Sequence, residues 1–76
     1  MNGYEELANA IVLQAARDYR EALSILSLRS WDRAASADLE ELEEFFRSRW
    51  FATLTKVDGE YLIARLRAEQ ERRACV

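Results

Sequence analysis

The residues best suited to chemistry are five acids that lie close together in one segment. Positions 38 to 44 read DLEELEE. A pair of carboxylates can act as general acid and general base, but only inside a cleft that perturbs their pKa values. A helical domain of 76 residues has little room for such a cleft. We therefore expect a charged surface here, with four of the acids spread over one outer helix face: Glu40, Glu41, Glu43 and Glu44.

Other catalytic or metal-binding groups are scarce. The chain has no histidine, so its serines, its threonines and Lys56 lack the base that would activate them as nucleophiles. Zinc sites and di-iron bundles need histidine or paired cysteines. Cys75 is the only cysteine, and we expect it to be an exposed thiol without a role. The sequence therefore predicts no catalytic residues, no cofactor and no metal.

The acidic run has two interpretations. In the first it is a solvated face, whose charges lie toward the helix N-terminus, where the helix dipole favours them. In the second it complements a basic groove on a partner, and Glu40, Glu41 and Glu44 speed association by electrostatic steering. The net charge of −3 disfavours direct binding to nucleic acid. The second interpretation therefore requires a basic protein as partner.

The aromatic residues are concentrated just after the acidic run. Four of them lie within seven positions: Phe45, Phe46, Trp50 and Phe51. Phe46 continues an apolar helix stripe, whereas Trp50 and Phe51 are neighbours and cannot both face the core. Either these rings close the base of a bundle, or one or two stay exposed as interface anchors. In the second case Phe45, Trp50 or the outward-facing Leu13 supplies the apolar contact.

Helices must carry these residues, because the composition favours no other element. Proline is absent, glycine occurs only at Gly3 and Gly59, and good helix formers dominate. The first helix is predicted from 4 to 28. Its apolar side chains cover an arc of about 180°, wider than the stripe of an ordinary surface helix. We therefore expect it to contact neighbours on two sides.

The second helix is predicted to end near Arg47. Ser30, Asp32 or Ser36 could cap its start, so its first residue stays open. Its inner face is predicted from residues three or four positions apart: Trp31, Ala35, Leu39, Leu42 and Phe46.

Two more helical segments follow. Ser48 is predicted to cap a short turn at 49–54, and Asp58 to cap the last helix. Val57 and Leu62 occupy the positions of a hydrophobic staple around Asp58. The last helix then carries one apolar face, formed by Leu62, Ile63 and Leu66.

The predicted fold class is all-α. We expect a small three- to four-helix bundle with a long N-terminal helix, in a single domain spanning 1–76. The apolar stripe ends after Ala68, so about 70–76 should fray. A chain this short buries only roughly 60% of its unfolded surface. Added burial would stabilise it, and we expect a homodimer to which the first helix contributes.

Two further classes of protein fit poorly. No apolar run approaches the ~18 residues of a membrane span, and Glu5 and Glu6 stand where a secretory signal is basic; we expect no membrane contact and a cytoplasmic location. A DNA-binding regulator would contact DNA through arginines of the last helix. Positions 50–76 hold five basic and four acidic residues, a weak footprint for phosphate binding.

Several stretches of the sequence resemble a group of small bacterial proteins. These are NAIVLQAARDYR at 9–20 and EEFFRS at 43–48, followed by WF at 50, LT at 54, VDG at 57 and YLI at 61. Together they resemble small uncharacterised proteins encoded by prophages and conjugative elements of gut Firmicutes. The resemblance spans most of the chain except 24–38. The resemblance implies a mobile-element accessory protein that acts in a bacterial cytoplasm. Small acidic proteins in that setting resemble inhibitors of host defence, including anti-CRISPR proteins. The resemblance carries no catalytic or cofactor motif.

The leading hypothesis combines these observations. The chain is interpreted as a non-catalytic accessory protein that binds and inhibits a basic bacterial defence protein acting on nucleic acid, through the acidic face of the second helix. The alternative is a self-assembling helical module with a structural or regulatory role. A DNA-binding regulator is the third interpretation.

Overall fold

A computed structural model describes residues 3–74, which form four helices and no strand. In chain order these are α1 (Gly3–Leu28), α2 (Arg33–Phe46), α3 (Arg49–Leu54) and α4 (Gly59–Ala74). The predicted all-α bundle with a long N-terminal helix is confirmed. Cys75 lies outside the described residues.

Helix α1 is the element on which the others pack. It contacts α2, α3 and α4, as its wide apolar arc predicts. The buried cluster draws on every helix: Ala15, Ala16, Tyr19 and Leu23 from α1, Phe46 from α2, Phe51 from α3, and Ile63 and Leu66 from α4. Because two of the α1 members are alanines, a neighbouring helix can approach its backbone closely.

Helix α2 begins at a single well-formed cap. The Asp32 carboxylate accepts a hydrogen bond from the backbone N–H of Ala35 at 2.9 Å, which selects Asp32 among the three candidate caps. The prediction for Trp31 is wrong, because its side chain is 75% exposed. Trp31 precedes the cap and lies outside the helix, so helical spacing does not turn it toward the core.

The corner between α2 and α3 is held by Ser48. Its hydroxyl accepts a hydrogen bond from the backbone N–H of Phe51 at 3.1 Å and donates one to the Phe45 carbonyl at 2.6 Å. The predicted cap is therefore confirmed. Trp50 and Phe51 face different ways, as expected for neighbours in a helix: Phe51 is buried and Trp50 is 57% exposed.

The start of α4 packs tightly against the end of α2. Asp58 accepts a hydrogen bond from the backbone N–H of Glu60 at 2.9 Å, which supports its role as a cap. A Cβ atom built on Gly59 would overlap the Phe46 carbonyl oxygen. Only glycine leaves room for this approach of two backbones. From there Ile63 and Leu66 enter the core, as predicted.

The far end of α4 is held by polar contacts. The helix continues to Ala74, through the segment in which the apolar pattern predicts fraying. Arg20 of α1 pairs with Glu69 at 2.9 Å, and Ser24 contacts Gln70 at 3.4 Å. Polar pairs thus continue the α1–α4 contact where the apolar stripe has ended.

Candidate partner-binding surface

A groove runs between α1 and α2. It consists of two neighbouring depressions of about 470 and 330 Å³, and Asp18 and Leu42 line both of them. We call it the acidic groove; its lining residues are Ile11, Gln14, Ala15, Asp18, Glu21, Ala22 and Ile25 of α1 and Asp38, Glu41, Leu42 and Phe45 of α2. Helix α4 contacts another side of α1, through Arg20 and Ser24.

Four carboxylates border the acidic groove without a cation. Asp18, Glu21, Asp38 and Glu41 are all exposed. None of them forms an ion pair with an arginine or lysine in the part of the chain that the structure describes. Asp18 accepts one hydrogen bond, from the side-chain amide of Gln14 at 2.9 Å. The groove therefore concentrates negative charge over a partly apolar floor.

The structure brings some of the predicted contact residues together. Glu41 lines the acidic groove, and Glu40 and Glu44 are exposed on the same helix, pointing away from the core. Phe45 is half-buried at one end of the groove. Trp50 packs edge-on against Phe45, with ring centroids 5.5 Å apart. Glu41, Phe45 and Trp50 therefore lie along one surface, and Glu40 and Glu44 are exposed on the same helix as Glu41.

Leu13 does not join that surface. Its side chain is 58% exposed. It lies seven residues before Arg20, which puts both on one face of α1, and Arg20 contacts α4. Leu13 is therefore separated from the acidic groove by the width of α1.

Glu43 differs from the other acids of α2, and its predicted place on the outer face is wrong. Its side chain is only 16% exposed. The Tyr19 hydroxyl and the Arg67 guanidinium each donate a hydrogen bond to Glu43 Oε2 at 2.6 Å, and Arg47 lies 3.6 Å from Oε1. We call Tyr19, Glu43 and Arg67 the carboxylate clamp, because it joins α1, α2 and α4.

The protonation states within the carboxylate clamp follow from its contacts. Burial acts to raise the pKa of Glu43, but the hydrogen bonds from Tyr19 and Arg67 outweigh it and hold that pKa below its ordinary value. Burial, together with the hydrogen bond to Glu43, raises the pKa of Tyr19 well above its ordinary value. The hydrogen bond to Glu43 raises the pKa of Arg67. The clamp therefore holds a neutral phenol, a carboxylate and a guanidinium at neutral pH.

The sequence contained a signal for the clamp that helix periodicity alone does not reveal. Tyr19 lies in the middle of the apolar arc of α1 and is fully buried. A buried phenol needs a hydrogen-bond partner. The candidates are polar residues that flank an apolar stripe on a neighbouring helix, and Glu43 flanks the stripe of Leu39, Leu42 and Phe46.

The structure also bears on DNA binding, metal binding and membrane insertion. Arg67, one of the arginines on the last helix, forms an ion pair with Glu43. Arg47 donates to Glu60, a hydrogen bond that raises the pKa of Arg47. Within residues 3–74 no group of acids has the arrangement needed to hold a metal ion. No helix in the same range is both long and apolar enough to cross a membrane.

Comparison with known proteins adds no relative. No protein-family model, curated protein or solved structure shows significant similarity to the chain. The resemblance to mobile-element proteins therefore stays a prediction from the sequence.

Proposed function

We propose that this protein is a non-catalytic binding protein whose acidic groove, together with the exposed acids of α2, binds a basic bacterial protein. The observation that carries the proposal is the set of four carboxylates without a cation around the groove. Like charges around one depression repel each other in the free protein, and a cationic partner relieves that repulsion. Charge complementarity of this kind raises association rates and selects the partner's sign.

The aromatic end of the groove supports binding over simple solvation. Trp50 is 57% exposed and rests on Phe45, which is half-buried. A large ring that is partly supported by the protein and partly open to solvent suits an interface anchor. An exposed acidic helix that serves only solubility has no need of such a ring at its end.

The proposed class of partner follows from charge and from the sequence resemblance. A nucleic-acid-handling defence protein has a basic channel for phosphates, and an acidic surface can compete for that channel. Inhibition by occupying the channel requires no catalysis, which agrees with the lack of a nucleophile–base pair in the sequence. Such a partner would be met in the cytoplasm of a bacterial host.

The test measures binding to a partner captured from bacterial lysate and then purified. Reversal of Glu40, Glu41 and Glu44 to lysine should abolish binding while the circular dichroism spectrum stays helical. Reversal of Glu5, Glu6 and Glu71 changes the net charge equally, elsewhere on the surface, and should leave most of the affinity. The proposal is wrong if both triple variants bind the partner as the wild type does.

Self-association is a second candidate function, favoured by one observation. Leu28 and Trp31 lie close together in the chain at the α1–α2 connection and are 81% and 75% exposed. Two large apolar side chains left open in this way can be covered by a second copy of the chain. Light scattering of the wild type and of a Leu28→Ser, Trp31→Ser variant tests it; a monomer mass for both at micromolar concentration rejects self-assembly.

A further inference from the structure

The spacing of the groove residues points to the form of the segment that binds there. We propose that the acidic groove receives an amphipathic α-helix of about four turns whose apolar stripe is interrupted at its centre by lysine or arginine. This inference rests on the proposed function and adds the shape and sequence pattern of the partner segment.

Helix α1 presents a row of heptad-spaced residues to the groove. Ile11, Asp18 and Ile25 are seven residues apart, and Ala15 and Ala22 follow the first two of them by four. This is the spacing of the a and d positions of helices that pack side by side. Ala15 and Ala22 are already buried, whereas both isoleucines are only half-buried and Asp18 is exposed. The members of the row that a further helix can contact are therefore Ile11, Asp18 and Ile25.

Helix α2 presents a matching row across the groove. Asp38, Leu42 and Phe45 are separated by four and then three residues, which is the same a and d spacing. Two rows of this kind on adjacent helices form the holes that side chains of a third helix enter. The groove has the pattern of a helix-packing surface whose last member is supplied by another chain.

The length of the groove sets the length of its occupant. Fourteen residues separate Ile11 from Ile25, which is about 21 Å along the axis of α1. A docked helix therefore needs about 14 residues. A peptide that binds by strand addition would need a sheet edge, and the residues that the structure describes offer no strand. A helix satisfies its own backbone and brings only side chains to the groove.

The charges of the groove set the pattern of that helix. Asp18 is the central member of the α1 row, with Glu21, Asp38 and Glu41 around it. A docked helix would remove water from Asp18, which is costly unless a cation pairs with the carboxylate. Apolar residues near Ile11 and Phe45 at one end, and near Ile25 at the other, complete the fit. The docked helix therefore carries apolar residues at both ends of one face and a basic residue between them.

Three fluorescent peptides of 18 residues test this pattern by anisotropy. The first is a helix-forming peptide with leucine at a and d positions and lysine at the central a position. The second has the same composition in scrambled order, and the third carries glutamate in place of the central lysine. The first peptide should bind at least tenfold more tightly than either of the others, and its helical circular dichroism should increase on binding.

Two protein variants with equal charge change locate the site. Asp18→Asn with Glu41→Gln should weaken binding of the first peptide at least tenfold. Glu6→Gln with Glu71→Gln removes the same charge from exposed positions outside the groove and should change affinity less than twofold. Melting temperatures verify that both variants are folded.

Each contrary result overturns the proposal in a distinct way. Absence of binding, or equal binding of the scrambled peptide, rules out a helix as occupant, and equal loss in the two variants rules out the groove. A wild-type dimer that Asp18→Asn with Glu41→Gln dissociates makes a second copy the occupant. A captured partner that still depends on Glu40, Glu41 and Glu44 would keep the proposed function while the helix form falls, so the two failures are distinguishable.

Discussion

Replacement of Glu43 by glutamine tests whether the carboxylate clamp stabilises the fold. Glutamine keeps the shape of the side chain and an oxygen that can accept a hydrogen bond, but it removes the charge. The wild-type carboxylate accepts two hydrogen bonds of 2.6 Å, from Tyr19 and Arg67. Its side chain is 16% exposed, so solvent screens it little.

The expected loss follows from these two contacts. A hydrogen bond to a charged group contributes about 1.5–3 kcal/mol, against about 1 kcal/mol for a neutral one. Glutamine makes the bond from Tyr19 neutral, whereas the bond from Arg67 keeps its charged donor and loses only the ion pair. Together these changes cost about 2 kcal/mol, and glutamine recovers part of this because it is cheaper to bury. We expect a loss of about 1–2 kcal/mol in the free energy of unfolding at pH 7. For a domain of this size that lowers the melting temperature by about 5–15 °C.

The pH dependence of the stability provides an independent test of the Glu43 contribution. Because the pKa of Glu43 is lowered in the folded protein, its contribution is present above the unfolded-state pKa of about 4.5. It is lost as the pH falls through the lower folded-state pKa, where the carboxylate binds a proton. The stability difference between wild type and Glu43→Gln should therefore shrink as the pH is lowered from 5 toward 2.

The assay is urea unfolding followed by circular dichroism at a series of pH values, with Glu44→Gln as matched control. Glu44 is the next residue in the chain and is exposed, so its replacement should change the free energy of unfolding by less than about 0.5 kcal/mol. Equal stability of the two variants at pH 7 would refute the reasoning. So would a loss at Glu43 that stays constant down to pH 2.

Four further predictions concern the core and the helix ends. Tyr19→Phe should remove a loss of stability that sets in above about pH 10, because the raised pKa of Tyr19 keeps its phenol protonated in the folded state only; pH-dependent melting checks this. Gly59→Ala should destabilise the fold by about 1–3 kcal/mol through overlap with the Phe46 carbonyl, and a gain in urea midpoint would contradict that overlap. Phe46→Ala should cost about 3–5 kcal/mol and Phe45→Ala clearly less, and equal costs in urea unfolding would place Phe45 in the core. Asp58→Ala should cost about 1 kcal/mol, and an unchanged melting temperature would argue against its cap.

Much of the fold was predictable because it depends on signals within single helices. The extent of α1 follows from helix formers uninterrupted by proline or glycine, and Ser48 and Asp58 were recognisable as caps from their types and positions. The core face of α4 follows from spacing alone. Trp31 was misplaced because the apolar spacing of α2 was carried past a helix start that three residues could equally have capped.

The arrangement between helices was not predictable in the same way. Periodicity identifies the faces of α1 and α2, but it does not give their relative rotation and height. That relation turns Glu43 inward to Tyr19 and sets Glu41 across from Asp18. Glu41 and Glu43 are only two residues apart in the chain, yet Glu41 is exposed and Glu43 is largely buried. Leu13 was grouped with Phe45 and Trp50 because all three were candidates for exposed apolar contacts. In the structure Leu13 lies on a different side of the molecule from the other two.

The edge-on contact of Trp50 with Phe45 gives the molecule an intrinsic optical probe. Indole emission responds to the polarity around the ring. Trp50 contacts Phe45, which lines one end of the acidic groove, and part of the Trp50 surface is in water. The only other indole belongs to Trp31, at the connection between α1 and α2. A Trp31→Phe protein would emit from Trp50 alone, so a blue shift on mixing would register that a ligand has covered this end of the groove, without a label.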